Sequence, residues 1–280
     1  MESARSRPKG GRVMKMKALS LGVVIAFAFG VCGLLEAVEL KDAVLVWLFD
    51  EGEGDTVKDM SGNGNDGKIT GATWTQGKIG KGLEFKQGNK VVCSTANNVG
   101  KTVLSACLWA KFNDFSTENQ FVYIKCTDTP SGRFFYFSTW SKTGAPHNCI
   151  HLGVIKTDGN WGRAIATNKV FDKDKWYFIV GIVDTKAGKI EAYVDGKLVH
   201  SAKIPTGDIP GTPVEIWVGG TPENYQWAQA IYDELAIFNA ALSEDDMKDI
   251  MNNGLAKALN ITPVSANGKL AATWGEIKAR

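Results

Sequence analysis

Between residues 102 and 112 the chain alternates without a break. Leu104, Ala106, Leu108, Ala110 and Phe112 fall on one side, and Ser105, Cys107, Trp109 and Lys111 on the other. A period of two belongs to a strand, because successive side chains of extended backbone point to opposite faces. Similar segments recur at 44–49, 90–94, 121–125, 133–139, 150–156, 176–183, 215–219 and 230–238, each bounded by Gly, Asn, Asp or Pro. The sharpest local signal is at 189–199, where Asp195-Gly196 interrupts two apolar-polar runs. Those two residues tolerate the positive φ angles of a two-residue hairpin turn, whose twist matches its flanking strands.

One helix is expected late in the chain. Ser243 is its N-cap and Asp246 the reciprocal partner, with Glu244, Asp245 and Asp246 at the positive end of the helix dipole. Met247, Ile250 and Met251 form its apolar stripe, and Gly254 is the expected stop. About ten strands and a single helix point to an all-β fold of two packed antiparallel sheets, with a closed antiparallel barrel as the rival. The 31 glycines against 8 prolines suit many tight turns. With 44% hydrophobic and 22% charged residues, the composition argues against disorder and coiled coil. The body is read as one domain over 38–259, followed by a tail at 260–280 in which Leu270 and Trp274 can dock back.

The N-terminal segment differs from the rest. Arg5, Arg7, Lys9, Arg12, Lys15 and Lys17 precede an apolar run from Ala18 to Leu35, and Ala37 offers a small residue for cleavage. That order is a secretory signal over residues 1–37, so the protein is expected to be secreted, periplasmic or at the cell surface. An uncleaved anchor is the other reading, and the only membrane link the chain offers. The formal charge of +2 belongs to this segment. Of 32 basic and 30 acidic residues, six and two lie in it, which leaves 26 against 28 and a net of −2 for the remainder. A nucleic-acid partner therefore has no charge support. Cys93, Cys107, Cys126 and Cys149 are an even set suited to disulfides in an oxidising compartment, with three pairings open. His147, Cys149 and His151 share a parity, but three ligands from one strand seldom make a metal site unaided.

Three motifs in order carry a resemblance. The opening 45–54 runs through Asp50 and Glu51 into Asp59-Met60-Ser61-Gly62-Asn63-Gly64-Asn65, and then into Lys78-Ile79-Gly80-Lys81-Gly82-Leu83-Glu84-Phe85. The middle hairpin closes on Tyr193-Val194-Asp195-Gly196-Lys197-Leu198-Val199, and the end reads Ile231-Tyr232-Asp233-Glu234-Leu235 through Ser243. Together they resemble laminin G-like, concanavalin A-like jellyroll domains of bacterial secreted proteins. The resemblance implies a two-sheet jellyroll sandwich whose members bind glycans or protein partners, or accompany enzymes. It also implies a structural calcium, for which Glu51, Asp59, Asn63 and Asp233 are the matching candidates. Calcium takes six to eight oxygens at roughly 2.3–2.6 Å, which carboxylates, amides and turned carbonyls supply. The same Asp-x-Ser-Gly-Asn-Gly run is also what a long turn looks like, with Asp59 and Asn63 bonding nearby backbone.

For function, the sequence holds no Glu-x-Asp-x-x-Glu strand, no Gly-x-Ser-x-Gly elbow and no His-Glu-x-x-His. A non-catalytic glycan-binding domain is the expectation. An adhesive domain for cell-surface proteins and a polysaccharide-processing enzyme are the alternatives. A sugar ring has an apolar face and a polar rim, so aromatic residues placed in loops are the candidate contacts: Trp161, Tyr225, Trp227 and Trp140. Trp47, Trp109 and Trp176 lie within strands and are assigned to packing.

Overall fold

The computed structural model describes residues 37–126, 133–141, 147–166, 168–210, 214–223 and 226–262. In chain order the strands are β1 (Ala43–Trp47), β2 (Thr56–Val57), β3 (Gly67–Thr70), β4 (Thr73–Gln76), β5 (Lys81–Phe85), β6 (Lys90–Ala96), β7 (Val103–Phe112) and β8 (Gln120–Lys125). They continue as β9 (Arg133–Trp140), β10 (Cys149–Ile155), β11 (Trp161–Ile165), β12 (Trp176–Asp184), β13 (Lys189–Val194), β14 (Lys197–Lys203), β15 (Val214–Val218) and β16 (Ala230–Phe238), followed by helix α1 (Glu244–Ala258). Two antiparallel sheets result. Sheet A runs β14-β13-β12-β7-β16-β5-β4 with β1 also on β16, and sheet B runs β11-β10-β9-β8-β15-β6-β3-β2.

The alternation in β7 explains the layering. Leu104, Ala106, Leu108, Ala110 and Phe112 enter the core between the sheets, while Cys107 and Trp109 belong to a second apolar cluster with Met247, Ile250 and Leu255 of α1. The helix therefore covers the outer face of sheet A. Ser243 and Asp246 cap it reciprocally, and the other Asp246 oxygen accepts from the Val38 N–H at 2.9 Å. Gly254 does break the helix, at φ 77°, and a further turn follows through Ala258. Asp195 and Gly196 hold φ of 50° and 72°, the positive pair of the hairpin turn joining β13 to β14.

Among the described residues sixteen strands replace the expected ten or so. The additions at β2–β5 are short, and in β4 and much of β3 exposed positions dilute the apolar pattern. A correction concerns Trp161, expected in a loop, which opens strand β11. That strand's inward residues are small because the sheet edges close there: a Cβ on Gly162 would lie 2.6 Å from Ile204 Cγ2.

The expected disulfides are also corrected. All four cysteines are buried free thiols, and Cys107 lies in the cluster under α1 while Cys93 and Cys126 lie in the inter-sheet core. Burial pushes the Cys107 thiol well above its usual value, which leaves it unreactive. The segment expected to be a signal, up to residue 36, and the tail beyond residue 262, with Leu270 and Trp274, lie outside the described residues. Among the described residues no helix is long and apolar enough to cross a membrane.

Candidate functional site

The strand registers determine which side chains meet on the outer face of sheet B. Ile155 pairs with Trp161, and Gly153 pairs with both Arg163 and Tyr136. His151 lies opposite Ser138, and Cys149 opposite Trp140. Val154, Leu152 and Ile150 point the other way into the core, so this alternate set looks outward. Four rings line up across three strands. Trp161 is 6.1 Å from Tyr136, Tyr136 is 4.7 Å from His151, and His151 is 5.7 Å from Trp140, centroid to centroid. Tyr136 is the floor of this row, while Trp161 is 44% exposed at one rim and Trp140 is half-buried at the other.

Gly153 makes the row possible. A Cβ there would stand 2.0 Å from Tyr136 Cζ, so only glycine lets the phenol lie across β10. Arg163, two residues after Trp161 on the same face, holds its guanidinium carbon 5.3 Å from the indole centroid. Farther across the sheet, Tyr123 donates to Glu223 at 2.7 Å, and Lys90 lies 5.0 Å over Trp217. Trp217 in turn donates to Glu215 at 3.0 Å.

Of the four aromatic candidates, Trp161 and Trp140 are brought together. Trp227 is elsewhere: its backbone bridges Gly220, and a Cβ on Gly220 would lie 2.8 Å from its ring, so it packs as a plug. Tyr225 lies outside the described residues. Sequence reasoning missed Tyr136 and His151 as members of the row and Arg163 beside it. The parity of Tyr136, Ser138 and Trp140 on one strand was the signal that could have linked two of them.

The four residues matched to calcium are each engaged with the protein's own backbone, Glu51 through one oxygen while its Oε2 is buried without a partner. Asp59 Oδ1 accepts from the N–H groups of Val46 and Ser61, both at 2.9 Å. Its Oδ2 accepts from Ser61 Oγ at 2.7 Å and the Asn65 N–H at 2.9 Å. Four donors leave it committed to pinning the 59–65 loop onto β1. Asn63 turns its amide N–H groups toward the carbonyls of Ala43 at 2.8 Å and Val44 at 3.1 Å. Glu51 accepts from the Lys58 N–H at 2.7 Å. Ala43 lies beside Phe238, so Asp233 is five residues along β16, roughly 16 Å from the Asn63 end of β1. Among the described residues no group of three His, Cys, Asp or Glu side chains is arranged to hold a metal ion, and that includes His147, Cys149 and His151.

Asp233 has a different setting. It sits beside Trp109 on the outer face of sheet A, where Oδ2 accepts from the Ile79 N–H at 2.9 Å and Oδ1 is buried without a partner. Burial, then the neighbouring charges of Glu234 and Asp50, push it up to about 8. Glu234 rises to about 7, mainly through burial, against the opposing hydrogen bond from the Leu255 N–H.

With that geometry in view, comparison with known proteins is informative. The family model described as the concanavalin A-like lectin/glucanases superfamily, laminin G type, matches residues 86–248, more than half of the chain. The chain belongs to this superfamily. No curated protein matches it. Among solved structures, this superfamily member is similar to domain 4 of AbnA, an extracellular arabinanase from Geobacillus stearothermophilus, in complex with arabinotriose. That likeness has a TM-score of 0.57 at 20% identity and covers 75% of this chain and 98% of that one. It is similar as well to the binding domain of Paraclostridial Mosquitocidal Protein 1, with a TM-score of 0.56, 16% identity, and 76% and 53% covered. A third is the botulinum neurotoxin serotype D ligand binding domain in complex with N-acetylneuraminic acid, at 0.54, 14%, and 76% and 51%. The chain spans about half the length of the toxin domains, and at these identities the likeness is one of fold.

Proposed function

We propose that the protein is a secreted, non-catalytic carbohydrate-binding domain and that the outer face of sheet B receives the sugar. The observation that carries this reading is the row Trp161, Tyr136, His151 and Trp140, a ring platform on paired strands with exposed Trp161 at one rim and half-buried Trp140 at the other. Aromatic faces stack on the apolar face of a pyranose or furanose, while the surrounding polar groups meet its hydroxyls. The fold is shared with an arabinanase domain solved with arabinotriose, which lends support.

A glycosidase would need two carboxyl groups about 5–9 Å apart across a bound sugar. Among the described residues the four-ring row holds none. Glu191, on β13 of the other sheet, is taken up by Lys189 at 3.0 Å and Tyr193 at 3.2 Å. The test is a glycan array with the wild type, Trp161→Ala and Trp140→Ala, all checked for unchanged melting. Binding that both substitutions weaken supports the reading. A silent array, with capture of cell-surface proteins by the same domain, would replace it with the adhesive function. Release of reducing ends from a polysaccharide panel would make the protein an enzyme.

A further inference from the structure

Resting on that reading, we propose that the sugar taken by this face is anionic, with Arg163 binding its carboxylate or sulfate while Trp161 stacks on its ring. Trp161 and Arg163 occupy successive outward positions of β11, the edge strand of sheet B, and both are exposed. The guanidinium carbon lies 5.3 Å from the indole centroid, which keeps the cation beside the exposed ring. Among the described residues Arg163 makes no hydrogen bond and no ion pair, so its five donors face solvent. Opposite it stands Gly153, whose missing side chain is replaced by the Tyr136 ring, so the phenol lies against the Arg163 position.

The nearest acidic side chain in sequence is already committed. Asp158, in the turn before β11, accepts from Lys156 Nζ at 2.7 Å and from the Asn160 N–H at 2.9 Å. Those contacts, Lys156 first, hold its carboxyl down at about 2. Elsewhere on this face the outward charges are Lys68, Lys90 and Lys125 against Glu215, with Glu223 over Tyr123. Of these, Lys68 is ion-paired with Asp55 and Lys125 lies 3.8 Å from Glu215, whereas Arg163 has no counter-charge among the described residues. A guanidinium beside an aromatic platform matches a planar carboxylate or a sulfate through paired N–H donors.

The experiment uses two matched pairs of polymers: polygalacturonate with its methyl ester, and κ-carrageenan with its desulfated backbone. Affinities are measured for the wild type, Arg163→Gln, Arg163→Lys and Trp161→Ala, with melting curves as a control on folding. The wild type should prefer the charged member of at least one pair, and the pair in which it does so identifies carboxylate or sulfate. Arg163→Gln should weaken that binding about tenfold or more and Arg163→Lys less, and Arg163→Gln should narrow the difference between the charged and neutral members. Added NaCl should weaken the acidic polymer selectively. Equal affinity for charged and neutral members, or an Arg163→Gln protein that binds the acid as before, overturns the anionic assignment. If Trp161→Ala still abolishes binding in that case, the sugar face stands and only its charge preference falls. No binding to any polymer or array sugar overturns both.

Discussion

Asp233 offers a test of the packing that joins the chain's opening and closing segments. Its carboxyl is raised from 3.8 to about 8 by burial and by Glu234 and Asp50. A carboxyl whose folded value lies above its unfolded value binds more protons in the native state. Its contribution is therefore favourable at low pH and is lost as pH rises through the window from about 4 to about 8. Within that window each group of this kind lowers stability by about 1.4 kcal/mol per pH unit. Keeping Asp233 protonated at pH 7 costs about 4 kcal/mol relative to the unfolded chain. Asp233→Asn keeps an oxygen for the Ile79 N–H and removes the titration. The variant should gain up to about 4 kcal/mol at pH 7 and little at pH 4. Glu234, raised to about 7, should keep a residual slope that ends nearer neutrality. Urea unfolding followed by tryptophan fluorescence at pH 5, 6, 7 and 8 gives both slopes. A wild-type midpoint that is flat or rises across this range refutes the reasoning. So does an Asp233→Asn protein with the wild-type slope.

Other outcomes follow from single contacts. Gly153→Ala should displace Tyr136, cost about 1–3 kcal/mol in urea unfolding, and weaken glycan binding at least as much as Trp140→Ala. Ser243→Ala should lower stability by about 1 kcal/mol by removing the hydroxyl that accepts from the Asp246 N–H, and should leave sugar binding unchanged on the array. Because Asp59 is saturated and Asn63 donates to β1, millimolar calcium should not raise the melting temperature over that in chelator. A rise of several degrees would restore the ion.

Local rules were readable in the chain wherever one face is buried. The 102–112 alternation placed Cys107 and Trp109 opposite the inter-sheet core, and Asp195-Gly196 and Ser243 declared a turn and a cap through their own chemistry. Strand β11 was not readable, since Gly162 and Ala164 are small where the sheets converge and leave no apolar signature. The site was half readable. Trp140 and Trp161 could be named from the sequence, but their link runs through Tyr136 and His151, whose meeting depends on the register between β9 and β10. The Asp59 loop shows the reverse problem. Carboxylates and amides in a Gly-rich run suit a cation or a backbone clasp equally well, and only the directions of the N–H groups distinguish them.

The sequence contains nine tryptophans, so the indole ¹H–¹⁵N spectrum can address the sugar face directly. On titration with the tightest array ligand, the Trp161 and Trp140 resonances should move together while those of Trp47, Trp109 and Trp227 stay in place. Shifts confined to Trp227, or to Trp109 beneath the helix-covered sheet, would contradict a sugar site on the outer face of sheet B.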